Sequence, residues 1–178
     1  MKKLHFAAAA LFCLMLFAGF TANAQKEGKS FSFGFGLEAG LPLGNATNAY
    51  QFTGGLDIRL SYHAGPGFVT LSTGAVGYVP KSNLGRSTKA SLQIPIKAGY
   101  KYVFHKPFFA MGEIGYSSFR IYYGGTGNEV AHITSGGFTY ATSAGVSFDP
   151  FEAGIKYEGT SLSGGTLSNL SIRLGFNF

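Results

Sequence analysis

From Phe31 to the end of the chain, apolar and polar residues alternate with a period of two. In FSFGFGLEAG, Phe31, Phe33, Phe35, Leu37 and Ala39 alternate with Ser32, Gly34, Gly36, Glu38 and Gly40. Successive side chains of an extended strand point to opposite faces, so this pattern predicts a strand with one oily and one polar face. The same reading applies to 50–63, where Phe52, Leu56, Ile58, Leu60 and Tyr62 oppose Gln51, Thr53, Asp57, Arg59, Ser61 and His63. It applies again to 69–79 and to 91–104, in which Leu92, Ile94, Ile96, Ala98, Tyr100, Tyr102 and Phe104 face away from Gln93, Lys97 and Lys101. Segments at 108–118, 138–148, 151–159 and 170–178 complete eight predicted strands. In the fifth, the bulky residues move after Ser118 to Phe119, Ile121 and Tyr123, which predicts a bulge or an emerging hairpin there.

The connections are expected to alternate in length. Tight turns fall at 63–67, 105–107 and 149–150, and longer loops at 41–49, 81–89, 120–136 and 160–168. Short turns at one end and long loops at the other predict an all-β fold, an eight-stranded antiparallel up-and-down transmembrane β-barrel. Pro95 sits inside the fourth strand, where proline removes a ladder donor. Because Ile94 and Ile96 keep the alternation, a local distortion without a register change is expected, with an inward carbonyl or a water nearby.

Either a soluble barrel with its oily face inside or a membrane barrel with that face outside could use these strands. The polar faces decide for the second. They carry Glu38, Asp57, Glu113, Glu152 and Glu158 with Arg59, Lys97, Lys101, Lys156 and Arg173, and are otherwise mostly Gly, Ser and Thr. Small residues suit the narrow inside of an eight-stranded barrel, where charges must be paired. An internal salt-bridge network and no wide pore follow. Aromatic residues flank both strand ends, with Tyr62, Phe104, Phe108, Phe148, Phe151 and Phe178 beside the tight turns and Phe52, Tyr78, Phe138 and Tyr140 toward the long loops. They are expected to form two interfacial girdles.

Residues 1–24 read as a cleaved secretory signal peptide: Lys2 and Lys3, an apolar run from Phe6 to Phe20, and an exit at Ala22, Asn23 and Ala24. Residues 25–178 then form one barrel domain without cysteine, since Cys13 lies in the leader. Loss of Lys2 and Lys3 lowers the formal charge from +6 to +4, and no basic run with interleaved aromatics argues for nucleic acid. The 27 Gly, 18 Phe and 10 Tyr with no Trp suit strands and membrane interfaces.

The amphipathic strands, LQIPIKAGYKYVF and the final RLGFNF together resemble the bacterial outer-membrane β-barrel domain family of small porin-like and OmpA/OmpX-type barrels. The resemblance implies export to the periplasm and insertion into the outer membrane. Outer-membrane lipid and lipopolysaccharide would be partners, and the barrel-assembly machinery would read Phe176 and Phe178. It also implies a structural or surface-interaction role, with an extracellular ligand reached through the long loops. A porin-like channel for small solutes is the alternative. A lipid A-modifying hydrolase is a third, because His132 and Thr134 match the His-x-Ser/Thr spacing of barrel deacylases, although Ser135 stands where that group has Asn. No acid is placed with that pair, so no enzyme is expected. No His, Cys or carboxylate cluster has metal-ligand spacing, and no cofactor is expected. His63 and His105 fall in tight turns, and YYGGTGNE reads as a hairpin tip. Lys81, Arg86, Lys89 and Arg120 against Glu129 make the outer rim mildly basic.

Overall fold

A computed structural model describes residues 31–81, 90–124 and 130–178. The expected signal peptide with Cys13 lies outside the described residues, as do Arg86, Lys89 and Glu129. Eight strands form in chain order: β1 Phe31–Leu43, β2 Tyr50–Ala64, β3 Gly67–Pro80, β4 Ser91–His105, β5 Phe108–Gly124, β6 Val130–Phe148, β7 Phe151–Leu162 and β8 Gly165–Asn177. Each pairs antiparallel with its sequence neighbours, and β1 pairs with β8 from Gly34↔Asn177 to Leu43↔Ser168, which closes the barrel. At the closing seam the Phe178 N–H donates to the Phe33 carbonyl at 2.7 Å. Closure leaves no sheet edge within the barrel wall, so backbone polar groups are satisfied between strands, as a lipid-facing sheet requires.

The tight turns are Gly65-Pro66, Lys106-Pro107 and Asp149-Pro150. Gly65 takes φ +62°, a left-handed conformation that glycine adopts without a steric penalty. At the other end two expected loops are shorter than the sequence suggests. β7 and β8 run on through Leu162↔Gly165, so their connection is only residues 163–164. β5 and β6 pair up to Gly124↔Val130, leaving 125–129 as the connection. Both stretches are rich in Gly, Ser and Thr and lack alternation, but ladder bonds use backbone groups and need no apolar face.

The expected bulge after Ser118 does not form. β5 holds one register with β6 throughout, and its only shift against β4 lies between Val103 and His105. Phe119 therefore stays on the inner face with Glu113 and Ser117 and is buried. A shift does occur between Tyr50 and Phe52, where β2 meets β3, and it leaves Tyr50 buried and Phe52 exposed. Tyr78, expected in a girdle, is instead 1% exposed inside the barrel, because it shares strand parity with Thr70 and Ser72. Tyr50, Tyr78 and Phe119 meet edge to face, with centroids 5.3, 5.4 and 6.3 Å apart. Val76, Leu167 and Ala46 pack against them, and Ala46 belongs to a short 3-10 turn, Gly44–Asn48, folded over the mouth.

Pro95 interrupts the β3–β4 ladder between Thr73↔Ile96 and Val76↔Gln93 while the register is kept on both sides. Its carbonyl accepts from Thr73 Oγ1 at 2.8 Å. Thr73 is exposed, so the compensating bond comes from the outer-facing residue of the neighbouring strand and not from the lumen.

The polarity of the barrel is inverted relative to a soluble one. Ile96 is 62% exposed and its neighbour Lys97 is 3% exposed. Truncation of the inner aromatic cluster tests how far it holds the barrel together. Phe119→Ala should lower unfolding stability by about 3–5 kcal/mol in detergent-folded protein titrated with denaturant, and Phe119→Leu should lose less.

Candidate functional site

The lumen is built in layers, because residues of one parity from all eight strands converge on it. Counting along β4 from the tight turns, Lys101, Lys97, Gln93 and Ser91 mark four levels, and Glu152, Lys156, Glu158 and Thr160 mark the same ascent on β7. Nine of the ten charges expected on the polar faces are buried, and Asp57 is half-buried.

Their ion pairs fall into two networks. Nearest the tight turns, Glu152 receives Arg59 Nη1 at 2.7 Å, Arg173 Nη1 at 2.8 Å and Lys101 Nζ, while Asp57 binds Arg173 Nε at 2.8 Å. Arg173 Nη2 reaches the second Asp57 oxygen at 3.0 Å, which makes that pair bidentate. The Lys101 ammonium also lies 4.4 Å from the centre of the Phe109 ring. Higher in the lumen, Lys156 binds Glu38 at 2.6 Å and Glu158 at 3.2 Å, and Lys97 binds Glu158 and lies 3.9 Å from Glu113. Ser72 donates to Glu113 at 2.6 Å. No ion pair among the described residues links one network to the other. Space for Arg173 comes from the cross-strand pair Gly36 and Gly175: a Cβ on Gly36 would stand 2.7 Å from the guanidinium carbon.

Above the charges lies a neutral layer. Gln93 accepts from the Tyr78 hydroxyl at 2.8 Å, and its Nε2, with two N–H groups to share, lies 2.9 Å from Glu158 and 3.0 Å from the hydroxyls of Ser117 and Thr160. Thr139 bonds both Ser117 and Thr160. The aromatic cluster covers this layer, and Tyr50 and Ser91 share a hydrogen bond of 3.0 Å. Inside the upper network there is a void of only about 10 Å³, the space of one water. Below the lower network a vestibule of about 410 Å³ opens at the tight-turn end. The described lumen is thus open at one end and filled at the other.

No family model matches the sequence, and no curated protein matches it. Solved structures do match. The N-terminal β-barrel domain of Pseudomonas aeruginosa OprF aligns with TM-score 0.61 and 13% identity over 83% of this chain and 97% of that one. Ail, the attachment invasion locus protein of Yersinia pestis, aligns with TM-score 0.59 and 13% identity over 84% and 97%. Neisserial surface protein A aligns with TM-score 0.53 and 16% identity over 84% and 98%. The chain has the fold of the eight-stranded outer-membrane β-barrels. Ail has also been solved in complex with a heparin analogue, sucrose octasulfate, and that structure matches with TM-score 0.58.

The other sequence-predicted residues are scattered. His63 and His105 are exposed at the tight-turn end, with His63 edge-on to Phe68 at 5.3 Å. His132 pairs with Tyr122 across β5 and β6, and Thr134, which is exposed, pairs with Arg120. Among the described residues every carboxylate lies in the lumen or, as Asp149, in a turn at the opposite end, so no acid accompanies Thr134. No group of three or more His, Cys, Asp or Glu side chains suited to a metal occurs among the described residues. The sequence reading missed the inner aromatics Tyr50, Phe109 and Phe119. For Phe109 and Phe119 a signal existed, since both share the odd parity of Glu113.

The unequal networks make carboxylate substitutions unequal. Glu152→Gln leaves Arg59 and Lys101 without an acid and should cost about 3–5 kcal/mol of unfolding stability at neutral pH. Glu113→Gln removes an acid from the network that has one to spare and keeps the bond to Ser72, so denaturant titration should show a loss of no more than about 1 kcal/mol.

Proposed function

We propose that this protein is an integral outer-membrane barrel that acts through its surface and does not conduct solutes. The observation that carries the reading is a blocked lumen inside an apolar exterior: ion pairs, a hydrogen-bonded amide layer and an aromatic cluster succeed one another along the axis, while Leu37, Ile96, Ile114 and Leu174 face outward. Apolar side chains on the outside of a closed barrel match a hydrocarbon surround, and backbone groups paired between strands leave no polar edge to it.

In this reading the three Pro-containing turns face the periplasm and the 3-10 turn, β5–β6 hairpin and neighbouring connections face outward from the cell. Export through a signal peptide at 1–24 precedes insertion, and the aromatic end of β8, Phe176 with Phe178, is the segment taken up by the barrel-assembly machinery. Phe176 packs on Phe151 at 5.0 Å and on Phe178 at 4.8 Å, which ties that end into the outer aromatic band. At the outer rim Lys81 and Arg120 are exposed cations. They suit the phosphates of lipopolysaccharide or another polyanion, a preference supported by the polysulfated ligand held by Ail. Catalysis at His132 and Thr134 is not favoured, since no carboxylate among the described residues lies near them.

Electrophoresis and planar-bilayer recording test this together. The folded protein from outer-membrane fractions should migrate faster unboiled than boiled, and its insertion into planar bilayers should give no discrete conductance steps. Regular steps at millivolt potentials would establish the channel reading instead, and a soluble protein with no mobility shift would overturn the membrane assignment.

A further inference from the structure

The two charge networks are individually unbalanced. The lower one holds three cations, Arg59, Lys101 and Arg173, against two acids, Asp57 and Glu152. The upper one holds two cations, Lys97 and Lys156, against three acids, Glu38, Glu113 and Glu158. The lumen is neutral as a whole but carries one excess positive charge toward the tight turns and one excess negative charge above it.

The excess positive charge borders the vestibule. Arg59, Lys101 and Glu152 line its inner end, and Lys106 and Asp149 line its mouth. Neither Lys106 nor Asp149 has an ion-pair partner among the described residues. Both oxygens of Glu152 are already engaged, so it has little left to offer a further cation. Arg59 Nε is buried with no acceptor, although the other end of the guanidinium donates to Glu152. Around these groups Ser61, Ser147 and Asn177 add side-chain hydrogen-bond donors. A cavity of about 410 Å³ lined by three cations, Arg59, Lys101 and Lys106, against Glu152 and Asp149, with neutral donors around them, suits a planar or tetrahedral oxyanion.

We propose that the vestibule at the tight-turn end is a binding site for a small oxyanion, a phosphate or carboxylate group, that enters from the aqueous side and neutralises the Arg59–Lys101–Arg173 network. It goes beyond the surface role proposed above, because it lies at the other end of the barrel and uses none of the loop residues.

The test is a titration of the full barrel in nanodiscs of zwitterionic lipid with sodium phosphate and, separately, sodium acetate, at constant ionic strength, followed by amide chemical shifts. Saturable shifts confined to Arg59, Ser61, Lys101, Ser147 and Asn177 are expected. Lys106→Gln, at an exposed position outside both networks, should weaken binding about three- to tenfold, and Asp149→Asn should strengthen it by a similar factor, since a unit charge a few ångströms away in a partly hydrated site acts on that scale. A parallel arm without phosphate, in nanodiscs containing phosphatidylglycerol, identifies the source of the anion. Shifts there assign a lipid headgroup, and shifts only with added salt assign a soluble anion; either supports the site. Absence of saturable shifts, or affinities that ignore both charge changes, would overturn it. Because the variants alter the mouth and leave the ion pairs intact, a folding failure is not an expected outcome, and the dispersed wild-type spectrum checks that the barrel is closed.

Discussion

Charged side chains almost wholly buried in the lumen would each be strongly unfavourable alone, and every one of the ten has an opposite charge within 4 Å. Removal of an ion from water costs several kcal/mol even after relaxation, and that penalty is offset only where partners and hydrogen bonds are well placed. The rest of the barrel accommodates this requirement. Glycines open space beside Arg173, serines and threonines supply hydroxyls, and strand parity holds these ten charges on the inner face.

The same requirement explains the grading of the lumen along its axis. Charges occupy the levels where two or more strands supply opposite signs at matching heights, as with Lys156 of β7 and Glu38 of β1. Where signs no longer match, Gln93 satisfies the last carboxylate oxygen and hands the network over to hydroxyls. Beyond that level Tyr50, Tyr78 and Phe119 fill most of the space with apolar volume, and the tyrosine hydroxyls bond Ser91 and Gln93. Ionic below and aromatic above, the filling leaves room for about one water within the upper network and a vestibule of about 410 Å³ at the lower end.

Pro95 shows how the wall tolerates a defect. A strand residue directs its N–H and C=O to the same neighbour, so a proline whose carbonyl faces β3 also withholds its missing donor from β3. The ladder is broken on that side, while Pro95 remains paired with Ser117 on the other. A threonine hydroxyl on the outer face supplies the acceptor's partner, and the register survives because both flanking pairs hold it.

Periodicity by itself determined the strand count, the order of pairing and the face on which each charge falls, because side-chain direction in a strand depends only on parity. It also assigned the three turns that contain proline. It did not determine where strands end in stretches without alternation, since the 163–164 turn and the β5–β6 hairpin are held by backbone bonds that leave no mark on side-chain pattern. Nor could it show Tyr50 inside, because the shift between Tyr50 and Phe52 reverses parity at one residue. Which charge meets which was decided only by the closed barrel. Arg173 and Asp57 are 116 positions apart in the chain and come together because strand register, accumulated around the ring, brings them to one height. The division into a cationic and an anionic network, and hence the electropositive vestibule, follows from those heights and not from the matched acids and bases of the polar strand faces.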